Sequence, residues 1–341
     1  MGKVRYLGSK ARLVQEIINR VGFSSEGRFI DLFCGTGSIS LAAGLNNWKV
    51  SANDTLLAAA TLTSAKLISL SEAKFIKLGG YQSVVNDLNN VDLEEGFFYR
   101  EYSSSAENKE MIERPYFSIQ NSKKIDAIRS KIRSLAQENL INEHERTVLL
   151  ADLIESANEV ANIAGTYGCF LKKLSKNALS PLLLKPRDLL LKKIDWAISQ
   201  EDALNVNMEI EDTVYIDPPY TKRQYAAYYH IPETIANDDE PDVSGITGLR
   251  PWHSKASDFC YKTRASVALD NLIKIIPSKR VFISYSSEGH INEQDLMKIA
   301  NSYGKTSITY FENFGRYISN KASSNHAKKN PLTEFLIEIN R

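Results

Sequence analysis

Arg28-Phe-Ile-Asp-Leu-Phe-Cys-Gly-Thr-Gly-Ser38 is the stretch that decides the fold. The run from Arg28 to Phe33 is apolar enough for a buried strand, and it stops at Cys34-Gly35-Thr36-Gly37-Ser38. The two glycines let the backbone turn sharply and come close to a ligand. A helical stretch follows from Ile39 to Leu45, and Trp48-Lys-Val-Ser-Ala-Asn53 reads as a second strand closing on Asp54. Strand, glycine turn, helix and a strand with a terminal acid make one βαβ unit of a parallel sheet. The turn lacks the Gly-Lys-Ser/Thr ending of a phosphate-binding loop, which disfavours nucleoside triphosphate hydrolysis.

Beyond this unit the rhythm changes. Residues 66–195 read mostly as helices and loops, with Ile125, Ile128, Ile132 and Leu135 at helical spacing on one face. Asn142 and Glu145 form a capping-box pattern for a helix expected to end near Gly165. Strand signals return at Trp196-Ala-Ile-Ser199, Val214-Tyr-Ile-Asp217, Val281-Phe-Ile-Ser-Tyr285, Ser307-Ile-Thr-Tyr-Phe311 and Phe335-Leu-Ile-Glu-Ile339. The expectation is an α/β catalytic domain of residues 1–65 and 196–341, split by a helical insertion of residues 66–195. There is no internal repeat, and the polar stretch Ser319 to Asn330 reads as an exposed loop between the last two strands.

Composition narrows the class without naming a partner. The 341 residues are 43% hydrophobic with a formal net charge of +1, so any argument for nucleic acid must rest on local patches. Cys34, Cys169 and Cys260 lie far apart with no histidine beside them, which argues against a disulfide framework or a zinc site. The N-terminus carries charges throughout and has no apolar core of a signal peptide. No apolar run approaches the roughly 20 residues that span a bilayer. A cytoplasmic, monomeric protein without a membrane partner is expected.

The strongest chemical signal is Asp217-Pro-Pro-Tyr220, which ends an apolar strand at the edge where open α/β sheets hold their ligands. It has the parts needed to methylate an aromatic amine. Such a nitrogen is a poor nucleophile because its lone pair is delocalised into the ring. Acceptors on both amino hydrogens draw it towards tetrahedral geometry. The Asp217 carboxylate can supply one acceptor and the Pro218 carbonyl the other. Pro218 and Pro219 stiffen the turn and carry no N–H to compete for them. Tyr220 offers a flat face for an extruded base. A bland reading, a strand end with a rigid turn, stands beside this one.

The combination Tyr6-Leu-Gly-Ser-Lys10, Phe33-Cys-Gly-Thr-Gly-Ser38, Asn53-Asp54 and Asp217-Pro-Pro-Tyr220 resembles the D12 (Dam-like, alpha-class) DNA adenine-N6 methyltransferases. The segment Thr221-Lys-Arg-Gln-Tyr-Ala-Ala-Tyr-Tyr-His230 resembles the branch found in type II and IIS restriction systems. The resemblance implies a Rossmann-like S-adenosylmethionine-dependent methyltransferase sheet with an inserted, mostly helical target-recognition domain. It implies S-adenosylmethionine as cofactor, with no metal. Tyr6 and Lys10 would contact it before the first strand, and Asp31, Phe33, Gly35, Gly37 and Ser38 would hold its methionine part. Asp54 would take the ribose and Asp202 the adenine amino group, with Glu201 adjacent in register. Double-stranded DNA is the implied substrate, with a restriction endonuclease as a companion.

Local charge agrees with DNA. Lys172, Lys173, Lys176, Lys185, Arg187, Lys192 and Lys193 lie between Gly165 and Asp195 against only Asp188 and Asp195. Lys321, Lys328 and Lys329 fall in the polar loop. Lys222, Arg223 and Tyr225 follow the catalytic motif, where Tyr225, Tyr228 and Tyr229 either cover a flipped base or pack on the sheet. His230 reads as structural. The alternatives are N4-cytosine methylation, which uses the same geometry, and a DNA-binding protein with a merely structural cofactor pocket.

Overall fold

The strands are Arg28–Asp31 (β1), Lys49–Asn53 (β2), Trp196–Ser199 (β3), Thr213–Ile216 (β4), Arg280–Ser286 (β5), Lys305–Phe311 (β6) and Glu334–Asn340 (β7). The helices are Val14–Val21 (α1), Ser38–Leu45 (α2), Leu57–Leu67 (α3), Tyr81–Asn89 (α4), Phe97–Tyr102 (α5), Ile119–Gln137 (α6), Glu143–Val160 (α7), Tyr225–Tyr228 (α8), His230–Asn237 (α9), Ala265–Ile275 (α10) and Glu293–Asn301 (α11). This is a computed structural model, and it describes residue 10 and residues 12–24, 26–311 and 333–341. Tyr6 and the lysines Lys321, Lys328 and Lys329 lie outside the described residues.

The strands form a seven-stranded sheet in the order β3-β2-β1-β4-β5-β7-β6. Five neighbours, β3 to β5, run parallel, whereas β7 runs antiparallel to both β5 and β6. The chain moves outward from β1 in both directions, so the topological switch point lies between β1 and β4. That is where an open α/β sheet opens a ligand crevice at its carboxyl edge. Ile30, Val214, Ile216, Val281, Ile283, Ile337 and Ile339 are buried and pack with Leu269, Leu272 and Leu296 from α10 and α11. These β-branched runs suit strands covered on both faces. The mixed α/β class expected from the sequence is what the chain adopts.

Two compact units emerge. The sheet unit comprises Gly8–Thr63, Ile194–Tyr225 and Lys255–Arg341. The other gathers Ser64–Lys193 with Ala226–Ser254 and contains α4 to α7 and α9. Within it the four isoleucine-face positions of α6 are buried, and α7 begins with the expected capping box of Asn142 and Glu145. That helix ends at Val160, earlier than Gly165, because Ala161 turns extended. Residues 226–254, read from sequence with the sheet, pack with the helices instead. Arg133 pairs with Asp238 at 2.7 Å, Tyr102 donates to the Gly248 carbonyl, and Tyr116 donates to the Thr247 carbonyl. No described helix is long and apolar enough to cross a membrane.

Candidate active site

The glycine turn is built by backbone conformations that side chains resist. Gly35 and Gly37 have φ of 51° and 72°. A Cβ on Gly37 would meet the Thr63 Cα at 2.8 Å, so the turn rests directly on α3 backbone. Gly37 caps α2 without a side-chain hydrogen bond, leaving the first N–H groups of that helix for an anionic group. Beneath the turn, the Asp31 Oδ2 accepts from Ser40 at 2.6 Å, while its buried Oδ1 has no hydrogen-bond partner. Burial pushes the Asp31 carboxyl up to about 7. An orphaned acceptor beside an uncapped helix start fits the ammonium and carboxylate of an amino-acid moiety. Phe33 is half-buried, edge-on to Phe259 with centroids 5.5 Å apart.

The second strand end ties the turn in place. Asp54 Oδ2 accepts the Gly35 N–H at 3.1 Å, and its Oδ1 accepts the Leu56 N–H at 3.0 Å. Asn53 is buried and cross-links three strand ends. Its Nδ2 donates to the Leu32 and Glu201 carbonyls, and its Oδ1 accepts from Ser199 and the Glu201 N–H. Beside it, Asp202 is exposed and caps the turn Ala203–Asn205 through Oδ1, whereas the Glu201 backbone is tied to β2.

Asp217 follows β4 immediately, next to β1 at the switch point. Its side chain is 15% exposed, and its Oδ1 lies 3.2 Å from the Lys10 ammonium but accepts no well-directed hydrogen bond. Lys10 is nearly buried and also contacts Glu334 at 2.9 Å and the Tyr220 ring at 4.9 Å from its centroid. Burial disfavours the Lys10 charge, yet Asp217, Tyr220 and Glu334 hold its pKa well above the ordinary range. Burial likewise raises Asp217, to about 6, with Lys10 opposing. Glu334 is absent from every local pattern in the sequence; it reaches the site only because β7 runs backwards.

The segment after the motif is pinned rather than loose. Gln224 makes a two-way bond with the Ser257 backbone, at 3.0 and 2.8 Å, and the Cys260 thiol donates to the Arg223 carbonyl. His290 N–H donates to the Tyr220 carbonyl at 3.0 Å. Lys222 and Arg223 are exposed, and Tyr225 is half-buried. Tyr229 is buried and Tyr228 packs against Gly168, so these two serve packing within the helical unit. His230 is structural, as expected: it is buried between Tyr102 and Tyr116, its Nδ1 sits 2.9 Å from the Ala227 carbonyl, and desolvation lowers it to about 4.

The basic stretch of the helical unit divides in two. Arg187 faces inward and is 5% exposed, pairing with Asp152 at 2.7 Å and Glu155 at 3.3 Å, so it is withdrawn from any phosphate surface. Lys185 pairs with Glu159 and Lys193 with Glu72. Lys172, Lys173 and Lys176 are exposed, and no ion pair engages them among the described residues. No group of three or more metal-ligating side chains occurs among the described residues.

Sequence comparison adds a family. The profile described as "D12 class N6 adenine-specific DNA methyltransferase" matches residues 6–299. The chain is 34% identical to modification methylase StsI of Streptococcus sanguinis over 99% of its length. It is 36% identical to type II methyltransferase M.FokI of Planomicrobium okeanokoites over 88%, and 33% identical to type II methyltransferase M.NlaIII of Neisseria lactamica over 98%. It spans about half the length of the first two relatives, 52% and 47%, and 98% of the third.

Proposed function

Because the chain belongs to the D12 class N6 adenine-specific DNA methyltransferases, we propose that it methylates the exocyclic N6 of an adenine flipped out of duplex DNA. The observation that carries this reading is Asp217: a carboxylate at the carboxyl edge of the sheet, whose Oδ1 is buried beside the Lys10 ammonium without a hydrogen bond. S-Adenosylmethionine, the family's cofactor, supplies an electrophilic methyl on a sulfonium. Asp31 Oδ1 would accept from its ammonium, and the α2 N–H groups would receive its carboxylate. Asp54 would take the ribose hydroxyls and Asp202 the adenine amino group. No metal enters the scheme.

Asp217 accepts one N6 hydrogen and the Pro218 carbonyl the other, which localises the nitrogen lone pair towards the methyl. Tyr220 holds the base by stacking, with Lys10 already on its ring. Held between these two acceptors, N6 would face the methyl in line, and its extra proton would leave to water once the bond is made. Positioning and fixed charge supply most of the acceleration. We further infer that the helical unit carries target recognition and that Lys172, Lys173, Lys176, Lys222 and Arg223 contact phosphates, with Tyr225 at the base. The names modification methylase and type II methyltransferase among the relatives support a companion restriction endonuclease, and we infer a cytoplasmic role from the DNA substrate.

The test is methyl transfer from labelled cofactor into duplex DNA, followed by mass spectrometry of the digested nucleosides. N6-methyladenine is expected. N4-methylcytosine overturns the base assignment. Tight DNA binding with no transfer would favour a non-enzymatic role.

A further inference from the structure

Glu334 stands outside the scheme above although it touches its centre. It is the first residue of β7, and the antiparallel register sets it opposite Ser286, the last residue of β5. A reversed strand thus delivers its first side chain to the edge where the parallel strands deliver their last. The residue is 7% exposed and reaches a lysine 324 positions away in the chain. A carboxylate buried this far is costly without a partner, and its partner here is Lys10.

The three groups are not equivalent. Lys10 makes a well-formed 2.9 Å hydrogen bond to Glu334 Oε2, whereas its 3.2 Å approach to Asp217 Oδ1 lacks hydrogen-bond alignment. The ammonium balances the charge of Asp217 while its directed proton goes to Glu334. We propose that Glu334 is a positioning residue for methyl transfer: it holds Lys10 back from Asp217, so that the catalytic carboxylate keeps a lone pair for the target amine. This rests on the methyltransferase reading proposed above. Without Glu334, Lys10 turns its hydrogen bond fully onto Asp217 and quenches the acceptor.

The other titratable groups facing Asp217 are Asp31 at the end of β1, Tyr215 in β4 and Tyr220 in the motif itself. Glu334 adds negative charge to this set and helps keep the Asp217 pKa high. Removing that charge while Lys10 moves closer must lower it.

Glu334→Gln keeps the shape and removes the charge. We expect kcat to fall by roughly 10- to 100-fold while cofactor and DNA dissociation constants stay within about twofold. The acid limb of the kcat–pH profile moves to lower pH, and Glu334→Asp restores part of the rate. Wild-type kcat with a wild-type profile overturns the proposal. So does a rate loss matched by an equal loss of cofactor affinity, which marks a merely structural residue. A carbon-13 NMR titration of the Asp217 carboxyl, without DNA, reads the coupling apart from activity. It should titrate lower in Glu334→Gln, and an unchanged value overturns the proposal even if the wild-type enzyme methylates something other than adenine. Should Glu334→Gln fail to fold, Glu334→Asp is titrated instead, with a smaller shift of the same sign expected.

Discussion

Two buried carboxylates of the helical unit and two at the carboxyl edge of the sheet are held in opposite ways. In the helical unit Asp126 accepts three backbone N–H groups, from Gly96, Phe98 and Tyr99, at 3.2, 2.9 and 2.8 Å. Asp152 is held by Tyr81 and by Arg187. In the sheet unit Asp31 and Asp217 each leave one buried oxygen without a hydrogen bond. Yet desolvation raises all four, Asp126, Asp152 and Asp217 to about 6 and Asp31 to about 7. A raised pKa therefore does not tell scaffold from site in this molecule. The lone pairs separate the two pairs instead: the fold occupies those of Asp126 and Asp152, and it leaves one oxygen each of Asp31 and Asp217 for the ligands proposed above.

The sharpest way to break that contrast is to remove one acid of each kind. Asp217→Ala should cut methyl transfer by on the order of 10³-fold while leaving cofactor binding nearly intact. Asp217→Asn should be severely impaired too, for want of a charge-assisted bond. Steady-state transfer and calorimetric titration check both, and wild-type-like turnover would sink the mechanism. Asp126→Ala should act on stability instead. It strands three amide donors, and at about 1–3 kcal/mol for a buried unsatisfied group, with partial relaxation, the unit should lose about 2–4 kcal/mol in denaturant unfolding. A variant as stable as wild type would show that those amides find water.

The lysines offer a gentler test. If Lys172, Lys173 and Lys176 contact phosphates, the triple alanine variant should flatten the log-affinity against log-salt slope by up to about 0.9 per contact. Discrimination between cognate and mismatched sites should barely change, since phosphate contacts carry no sequence information. An unchanged slope in a normally folded variant removes this patch from the DNA interface. Asp54→Ala should weaken cofactor binding by about tenfold, the loss of a charge-assisted bond or two, and leave DNA binding alone. It removes the proposed ribose acceptor and also frees the Gly35 turn. Asp54→Asn, which can still accept one of the two N–H bonds, should lie between.

The smallest effect is a proton count. Asp31 and Asp217 titrate higher in the folded protein than in the unfolded chain, so folding takes up protons between about pH 4 and pH 7. Stability contributed by their protonated forms is present at the low end of that window and lost as pH rises through it. A cationic cofactor reverses the preference and should expel up to one proton near pH 6.5. Calorimetry in buffers of different ionisation enthalpy measures it. No buffer dependence would mean that both acids are already ionised before binding.

Much of the site could be read from local sequence because its parts are local devices. A glycine turn, an acid closing a strand and a double proline after another strand depend on neighbours within a few residues. Their sheet then collects them at one edge because parallel strands end on the same side. The capping box of Asn142 and Glu145 was legible for the same reason. Arg187 was misread as surface charge because nothing in its neighbours shows that Asp152 and Glu155, a turn apart on α7, wait for it. Residues 226–254 follow the catalytic motif in the chain but are tied to the helices by Arg133, Tyr102 and Tyr116.

The sequence by itself determined the fold class, the order of the motifs and the carboxylate proposed as catalytic, since each is set by backbone geometry and short-range pattern. Only the tertiary structure decided which lone pairs stay open, which basic side chains face water and that Glu334 shares Lys10 with Asp217. Those depend on burial and on partners hundreds of residues apart, and an antiparallel strand is what brings the last of them within 2.9 Å.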